Sequence, residues 1–162
     1  MRTLEEIQQT FGGALRLRCC GLLYQEDQIL LANHPALGAG GYFLSPPGGG
    51  IDFQESALTC LEREITEECG LQAEQYHFQC AGEYLHNGLH TIELFFEITQ
   101  YVGTLAPGEE PELPGAMTSV QFYTFDFLNQ LAPHQKHGLF QYAHTVVELQ
   151  ALAGFYQLEP TC

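Results

Sequence analysis

An α/β fold in a single domain is what this sequence predicts, on three observations. The chain has 162 residues, of which 45% are hydrophobic, so it is long and apolar enough to bury one core. Segments in which apolar and polar residues alternate, as in strands, flank one long stretch of helical composition. There are no repeats, no low-complexity tract and no obvious linker, so residues 1–162 are predicted to form one domain.

The first part of the chain is predicted to form a hairpin followed by a loop. Residues 14–24 alternate between two faces and predict a strand, and residues 29–33 predict a second strand across a turn at 25–28. A loop at 35–41 then leads to a short strand at 42–44. This strand brings the chain to a run of glycines.

A glycine-rich loop and a helix come next. Pro47 stiffens the entry to three consecutive glycines. Residues 55–68 contain good helix formers and neither Gly nor Pro, so they predict a helix, and Gly70 suits its end. The side facing the core is predicted from apolar spacing, with two cysteines filling space there: Leu58, Leu61, Ile65, Cys60 and Cys69.

The remaining residues predict three more strands and two helices. Asp126 is expected to cap the first of these helices. The predicted ranges are strands at 76–85, 91–99 and 119–125, a turn at 86–88, a loop at 103–115, and helices at 127–131 and 137–153.

Three carboxylates share one face of the predicted central helix. At about 100° per residue, Glu64, Glu67 and Glu68 fall within an arc of about 100°. Charges of the same sign in such an arrangement repel unless a cation lies among them, and their hard oxygen atoms favour Mg²⁺ or Mn²⁺. Arg63 lies off that face, and it is predicted to pair with Glu67 or with Glu55 and so hold the carboxylates in place.

Nine residues in one fixed frame carry a resemblance to a known family. They match the pattern G-x5-E-x7-R-E-U-x-E-E-x-G-U, in which U is a bulky aliphatic residue. The matching residues are Gly49, Glu55, Arg63, Glu64, Ile65, Glu67, Glu68, Gly70 and Leu71. On this pattern, the Nudix box, the chain resembles the Nudix hydrolases, which use divalent metal to cleave nucleoside diphosphates linked to another moiety. The resemblance implies the Nudix fold, an α/β/α sandwich around a mixed β-sheet, and the order of predicted elements fits it.

The resemblance also implies roles for the residues of the box. Glu55 and Arg63 are expected to support the catalytic carboxylates. The implied ligands of Mg²⁺ or Mn²⁺ are Glu64, Glu67, Glu68 and the backbone carbonyl of Gly48 or Gly49. An ordinary solvated acidic helix is the alternative, but it has no need of the preceding glycines, the single Arg or the closing Gly-Leu.

The general base is not fixed by the sequence. One carboxylate must accept a proton from the attacking water. Family members often carry a further functional Glu in the loop after the strand pair, and Glu109 or Glu110 falls there, with Glu112 close by. The base is therefore either a Glu of the box or a Glu of this loop, and a merely solvated loop is the alternative.

Candidates for substrate contacts lie outside the box. Arg16 and Arg18 share one face of the first strand, where a phosphate contact competes with a structural ion pair. Tyr42 and Phe43 precede the glycines and are candidates to stack on a base, although aromatic residues in small domains more often belong to the core. Glu93 alternates with apolar residues and is predicted to lie on a half-solvated sheet face, with a role as a ligand as the alternative.

The charge of the chain restricts its partners. The formal net charge is −15, with five Lys and Arg residues in all, so no basic patch for nucleic acid or an anionic membrane can form. No apolar run is long enough to span a membrane, the first 13 residues lack the apolar region that a secretion signal is expected to have, and the six cysteines show no paired spacing. We therefore expect a cytoplasmic protein whose partner is a small nucleotide, with a homodimer left open.

Three functions remain in competition at this stage. The first is a pyrophosphohydrolase of small nucleotides, such as a nucleoside triphosphate or a nucleotide sugar. The second is a regulatory module that binds a nucleotide without cleaving it, and the third is a diphosphate isomerase on the same fold. The complete box favours the hydrolase, and nothing in the sequence selects the substrate.

Overall fold

The computed structural model of the protein describes residues 4–37, 42–86, 88–108 and 117–159. The strands in this part of the chain are β1 (Leu15–Leu22), β2 (Tyr24–Gln25), β3 (Gln28–Asn33), β4 (Leu44–Ser45), β5 (Gly48–Gly50), β6 (Leu71–His86), β7 (Leu89–Gly103), β8 (Ser119–Thr124) and β9 (Gly154–Leu158). The α-helices are α1 (Leu4–Phe11), α2 (Ala57–Cys69), α3 (Phe125–Gln130) and α4 (Val146–Gln150). Short 3-10 turns occupy Pro35–Leu37, Pro133–Gln135 and Gly138–Gln141.

The larger of two sheets has five strands in the order β5-β1-β7-β6-β9. β1 runs parallel to β7 and β9 runs parallel to β6, whereas β6 with β7 and β1 with β5 are antiparallel. The smaller sheet is built on β3, which pairs with β2, β4 and β8. The predicted mixed sheet is therefore confirmed.

Helices cover both faces of the larger sheet. Neighbouring residues of a strand point to opposite faces, and Cys19 and Cys20 of β1 accordingly belong to different apolar clusters. The cluster around Cys19 contains Ile65 of α2, and the cluster around Cys20 contains Leu128 of α3 and Leu149 of α4. This arrangement is the α/β/α sandwich that the resemblance implied.

The predicted first strand, residues 14–24, divides between the two sheets. Its first part is β1, which lies between β5 and β7, and its last part is β2, which forms the hairpin with β3. The hairpin turns through two residues, and Glu26 has a positive φ of 55° there. Alternation along the sequence cannot show this division because both parts have the same period of two. The strand predicted at 42–44 likewise begins only at Leu44.

Helix α2 follows its prediction closely. Ser56 caps its first turn by accepting a hydrogen bond from the Thr59 backbone N–H at 3.1 Å. Gly70 ends it in the left-handed conformation, with a φ of 68°, as predicted. Leu61 and Ile65 are fully buried, but Leu58 in the first turn stays 45% exposed, so its assignment to the core side was wrong.

The end of the chain differs most from expectation. The continuous helix predicted at 137–153 does not form. The 3-10 turn Gly138–Gln141, the short helix α4 and the strand β9 take its place, because His137 and Thr145 each cap a new turn with a side chain. Helix α3 is capped by Thr124 rather than by Asp126, which lies in its first turn. Helix α1 and strand β9 were not predicted.

Candidate active site

Strand β5 places the glycine loop directly against helix α2. β5 pairs with β1 in antiparallel register, with Cys19 opposite Gly49 and Cys20 opposite Gly48. A Cβ atom on Gly49 would overlap the Glu64 carboxylate, and one on Gly48 would overlap the backbone carbonyl of Cys19. Backbone and carboxylate can meet here only because neither glycine has a side chain.

Two of the three predicted carboxylates are buried beside this loop. Glu64 is 2% exposed and Glu68 is 1% exposed, whereas the side chain of Glu67 is 31% exposed. The backbone N–H of Gly48 donates to Oε2 of Glu68 at 2.8 Å. Burial of two carboxylates is costly unless positive charge or hydrogen bonds compensate for it.

Arg63 holds the carboxylates in a network. Its Nε and one terminal nitrogen bind both oxygens of Glu55, each at 2.9 Å. Its other terminal nitrogen contacts Glu64 at 2.5 Å and Glu67 at 3.2 Å, and a further bond of 3.0 Å reaches the carbonyl of Gly50. The hydrogen bonds from Arg63 lower the pKa of Glu55 to about 2. Both pairings considered from the sequence, with Glu55 and with Glu67, are thus present together.

The residues predicted to contact the substrate lie in different parts of the structure. Arg18 donates to Glu93 at 3.0 Å and to the carbonyl of Gly48 at 2.7 Å, so it has the ion pair that the sequence left as the alternative. The guanidinium of Arg16 lies over the ring of Phe11, 4.1 Å from the centroid.

The two aromatic candidates lie just before β4. The ring of Tyr42 contacts that of Phe127 edge-on at 6.2 Å and is 38% exposed. The backbone N–H of Phe43 donates to the side-chain oxygen of Asn33 at 3.1 Å. The loop candidates Glu109, Glu110 and Glu112 lie outside the described residues.

Glu93 corrects the prediction of a half-solvated sheet face. It is 3% exposed, and its second oxygen accepts a bond from Nε2 of His137 at 2.7 Å. Burial acts to raise the pKa of Glu93, but His137 and Arg18 outweigh it and lower that pKa to about 2. The available signal in the sequence was a carboxylate in the otherwise apolar run Ile92–Phe96, and no local pattern indicated its partner His137.

The donor atoms of this site suit a hard divalent cation. Glu64 and Glu68 offer buried carboxylate oxygens beside a backbone that approaches too closely for any side chain, and Mg²⁺ and Mn²⁺ prefer oxygen ligands. In the described ranges, no group of three or more His, Cys, Asp or Glu side chains forms a ready-made metal cage. Arg63 instead contacts both Glu64 and Glu67, so metal binding there requires these side chains to reorient.

Comparison with known proteins agrees with this geometry. The family model described as NUDIX domain matches residues 14–142. No curated protein sequence matches the chain. Among the residues that the structure describes, no helix is long and apolar enough to cross a membrane.

Several solved structures share the fold. A MutT NUDIX hydrolase from Burkholderia pseudomallei has 23% identity and a TM-score of 0.59, covering 70% of this chain and 85% of that one. The MutT protein from Bacillus halodurans has 19% identity and a TM-score of 0.55, covering 72% of each chain. The NUDIX domain of Shewanella oneidensis NrtR, complexed with ADP ribose, has 14% identity and a TM-score of 0.58, covering 80% and 88%.

Proposed function

The chain belongs to the Nudix family of hydrolases, and on that premise we propose that it is a metal-dependent pyrophosphohydrolase of small nucleotides. The observation that carries the proposal is the burial of Glu64 and Glu68 against the glycine loop. Burying two carboxylates where the backbone passes so closely lowers the stability of the fold. A cation that also binds a diphosphate would offset that cost.

The residues divide the reaction among them. Glu64, Glu68 and the backbone carbonyl of Gly48 or Gly49 would hold Mg²⁺ or Mn²⁺, with Glu67 at the exposed side of the group. The bound ion would neutralise phosphate charge and acidify the attacking water. Arg63 orders the carboxylates through its bonds to Glu55 and Glu64, and Glu64 would exchange its bond to Arg63 for a bond to the ion when metal binds.

The general base is proposed to be a Glu of the box or of the acidic loop. Of Glu64, Glu67 and Glu68, Glu67 is the most accessible to water. The described chain before the acidic loop ends at Gly108, whose N–H donates to the backbone carbonyl of Glu68 at 3.0 Å. The bond brings the last described residue before the acidic loop to the end of α2.

The substrate is proposed to be a nucleoside triphosphate, a nucleotide sugar or a similar small nucleotide. A related NUDIX domain, that of NrtR, binds ADP ribose. The net charge of −15 disfavours long polyanions but not a single diphosphate that arrives with its metal.

We also propose that the enzyme works in the cytoplasm. The five cysteines of the described chain are free and buried. Burial raises the pKa of the Cys69 thiol well above its ordinary value, which keeps that thiol protonated and unreactive. Free thiols of this kind are typical of proteins from a reducing compartment.

The test is a hydrolysis screen over nucleoside triphosphates, nucleotide sugars and dinucleoside polyphosphates, with Mg²⁺, with Mn²⁺ and with neither. We expect product from at least one substrate only when metal is present. Glu68→Gln should lower that activity by about two orders of magnitude or more. Glu62→Gln is the matched control, because Glu62 lies on the same helix but is exposed to solvent. Equal activity in Glu68→Gln and wild type would contradict the proposal.

A further inference from the structure

A buried carboxylate of the larger sheet lies between the side chains of Arg18 and His137, outside the Nudix box. Glu93 of β7 pairs in register with Arg18 of the neighbouring parallel strand β1. One of its oxygens accepts from Arg18 at 3.0 Å and the other from His137 at 2.7 Å. Both oxygens are therefore engaged, which assigns Glu93 a role in holding its neighbours rather than in taking a proton from water.

The orientation of His137 is fixed by three further contacts. Its Nδ1 accepts from the backbone N–H of Leu139 at 3.2 Å, and its own backbone N–H donates to the carbonyl of Leu44 at 2.8 Å. Its ring packs edge-on against Phe95, with 5.8 Å between centroids. Because Nδ1 accepts, the proton is on Nε2 and is donated to Glu93.

The other end of this arrangement reaches the glycine loop. Arg18 donates to the carbonyl of Gly48 at 2.7 Å, and the N–H of Gly48 donates to Glu68 at 2.8 Å. Both peptide groups of Gly48 are thus held, one from the sheet and one from α2. A glycine offers only its backbone for contacts, so these two bonds, together with the pairing of β5 with β1, hold the loop against the carboxylates.

A contribution to stability does not by itself explain why these three residues are buried together. Buried ion pairs often contribute less to stability than well-packed apolar side chains of the same volume, because desolvation offsets the attraction. A buried ion pair of this kind is explained better if it orients another part of the protein. We infer that Arg18, Glu93 and His137 form a positioning network that fixes the Gly48 peptide, and with it Glu68, in the geometry that the reaction requires. The inference rests on the proposed function, since Gly48 and Glu68 are the proposed ligands.

The first experiment needs no metal and no substrate. Amide hydrogen exchange of Gly48 is followed by NMR in the metal-free, glycine-labelled protein. His137→Gln should speed the exchange of this amide by about tenfold or more, because the loop then opens more often. His90→Gln is the matched control: His90 is on the same strand as Glu93 and pairs with Glu83 at 2.8 Å, but it does not touch the loop. That control should leave Gly48 unchanged.

The second experiment measures Mn²⁺ binding without substrate, from the electron paramagnetic resonance signal of free Mn²⁺. His137→Gln and Arg18→Lys should weaken binding about 10- to 100-fold, the usual cost of removing a group that orients a metal ligand. Arg18→Lys keeps the positive charge but cannot reach Glu93 and Gly48 together, so charge alone should not rescue binding. His90→Gln should bind as wild type does.

Circular dichroism establishes which variants are folded. If His137→Gln is not folded, Arg18→Lys and Glu93→Gln take its place in both experiments. Folded network variants with wild-type exchange at Gly48 and wild-type Mn²⁺ affinity would overturn the inference. If the wild-type protein neither binds Mn²⁺ nor hydrolyses nucleotides, that result contradicts the proposed function instead. In that case the exchange experiment still decides whether the network holds Gly48.

Discussion

Gly49 touches the carboxylate of Glu64 so closely that no side chain fits in its place. Gly49→Ala should therefore displace Glu64, lower nucleotide hydrolysis by about 100-fold and abolish most of the metal-induced rise in melting temperature. Both are measured on the purified protein, by product release and by thermal unfolding with and without Mn²⁺.

Gly154→Ala is the control for that substitution. Gly154 has a φ of 95°, so alanine strains the backbone there, but a Cβ at this position meets no atom within 4 Å. The control should lose stability and keep its activity per folded molecule. Wild-type activity in Gly49→Ala would show that the contact between Gly49 and Glu64 does not matter for the reaction.

Glu93 also predicts how stability depends on pH. Its pKa falls from the usual 4.5 to about 2 in the folded protein, so the folded state binds its proton less readily than the unfolded state. The stabilisation is complete above about pH 4.5 and is lost as the pH falls towards 2. Urea unfolding of the metal-free protein at pH 7 and pH 3 measures the loss.

Glu93→Gln should be less stable than wild type at pH 7 and should lose less stability on acidification, because glutamine does not titrate. Glu74→Gln, a change at an exposed position, is the control and should retain the acid response of the wild type. An identical acid response in Glu93→Gln and wild type would contradict the assignment.

At the scale of single elements, the cap of helix α2 and its proposed catalytic carboxylates lie in different turns. Stability and catalysis can therefore be tested separately. Its first turn depends on the Oγ of Ser56, which accepts from the Thr59 N–H. Ser56→Ala should lower the free energy of unfolding by about 1 kcal/mol, measured by urea denaturation. The carboxylates lie two turns further on, so kcat well below the melting temperature should stay at the wild-type value. A large fall in kcat in a fully folded variant would mean that the cap also positions the site.

The sequence predicts best those elements whose ends and buried faces are set by residues close together in the chain. α2 has a side-chain cap, a left-handed glycine at its end and an apolar stripe, all within Ser56 to Gly70. The segment 137–153 has an equally regular apolar period, but its apolar residues come from a 3-10 turn and a short helix. The pairing of β9 with β6 joins residues far apart in the chain, and no window of sequence contains both.

The same limit applies to the site. The acidic face of α2 and its Arg63 can be predicted because they lie within one helix and its preceding loop. Arg18 and Glu93 are separated by 75 residues, and Glu93 and His137 by 44, so their contact exists only in the assembled sheet. The pattern of Glu93 between apolar neighbours fits a solvated face as well as a buried ion pair, and tertiary packing decides between them.

For the whole molecule, the net charge of −15 predicts indifference to polynucleotides. Polyanion binding needs cations that neutralise phosphates and release counterions, and three of the five Lys and Arg side chains, Arg18, Arg63 and Lys136, already donate to groups of the protein. Fluorescence anisotropy with single-stranded and duplex DNA and RNA at about 50 mM salt should show no binding at micromolar protein. Micromolar affinity for a generic oligonucleotide, without hydrolysis of any small nucleotide, would point to a different role.

The hydrogen bonds that run from His137 through Glu93 and Arg18 to Gly48 have a consequence for synthesis of the chain. Gly48 and Glu68 precede His137 in the sequence, so they are synthesised before the residue that completes their inferred support. A chain that ends before His137 contains the whole box and still lacks this support. If the inferred network is needed for the reaction, a fragment that stops short of His137 should hydrolyse nucleotides more slowly, although it carries every residue of the box.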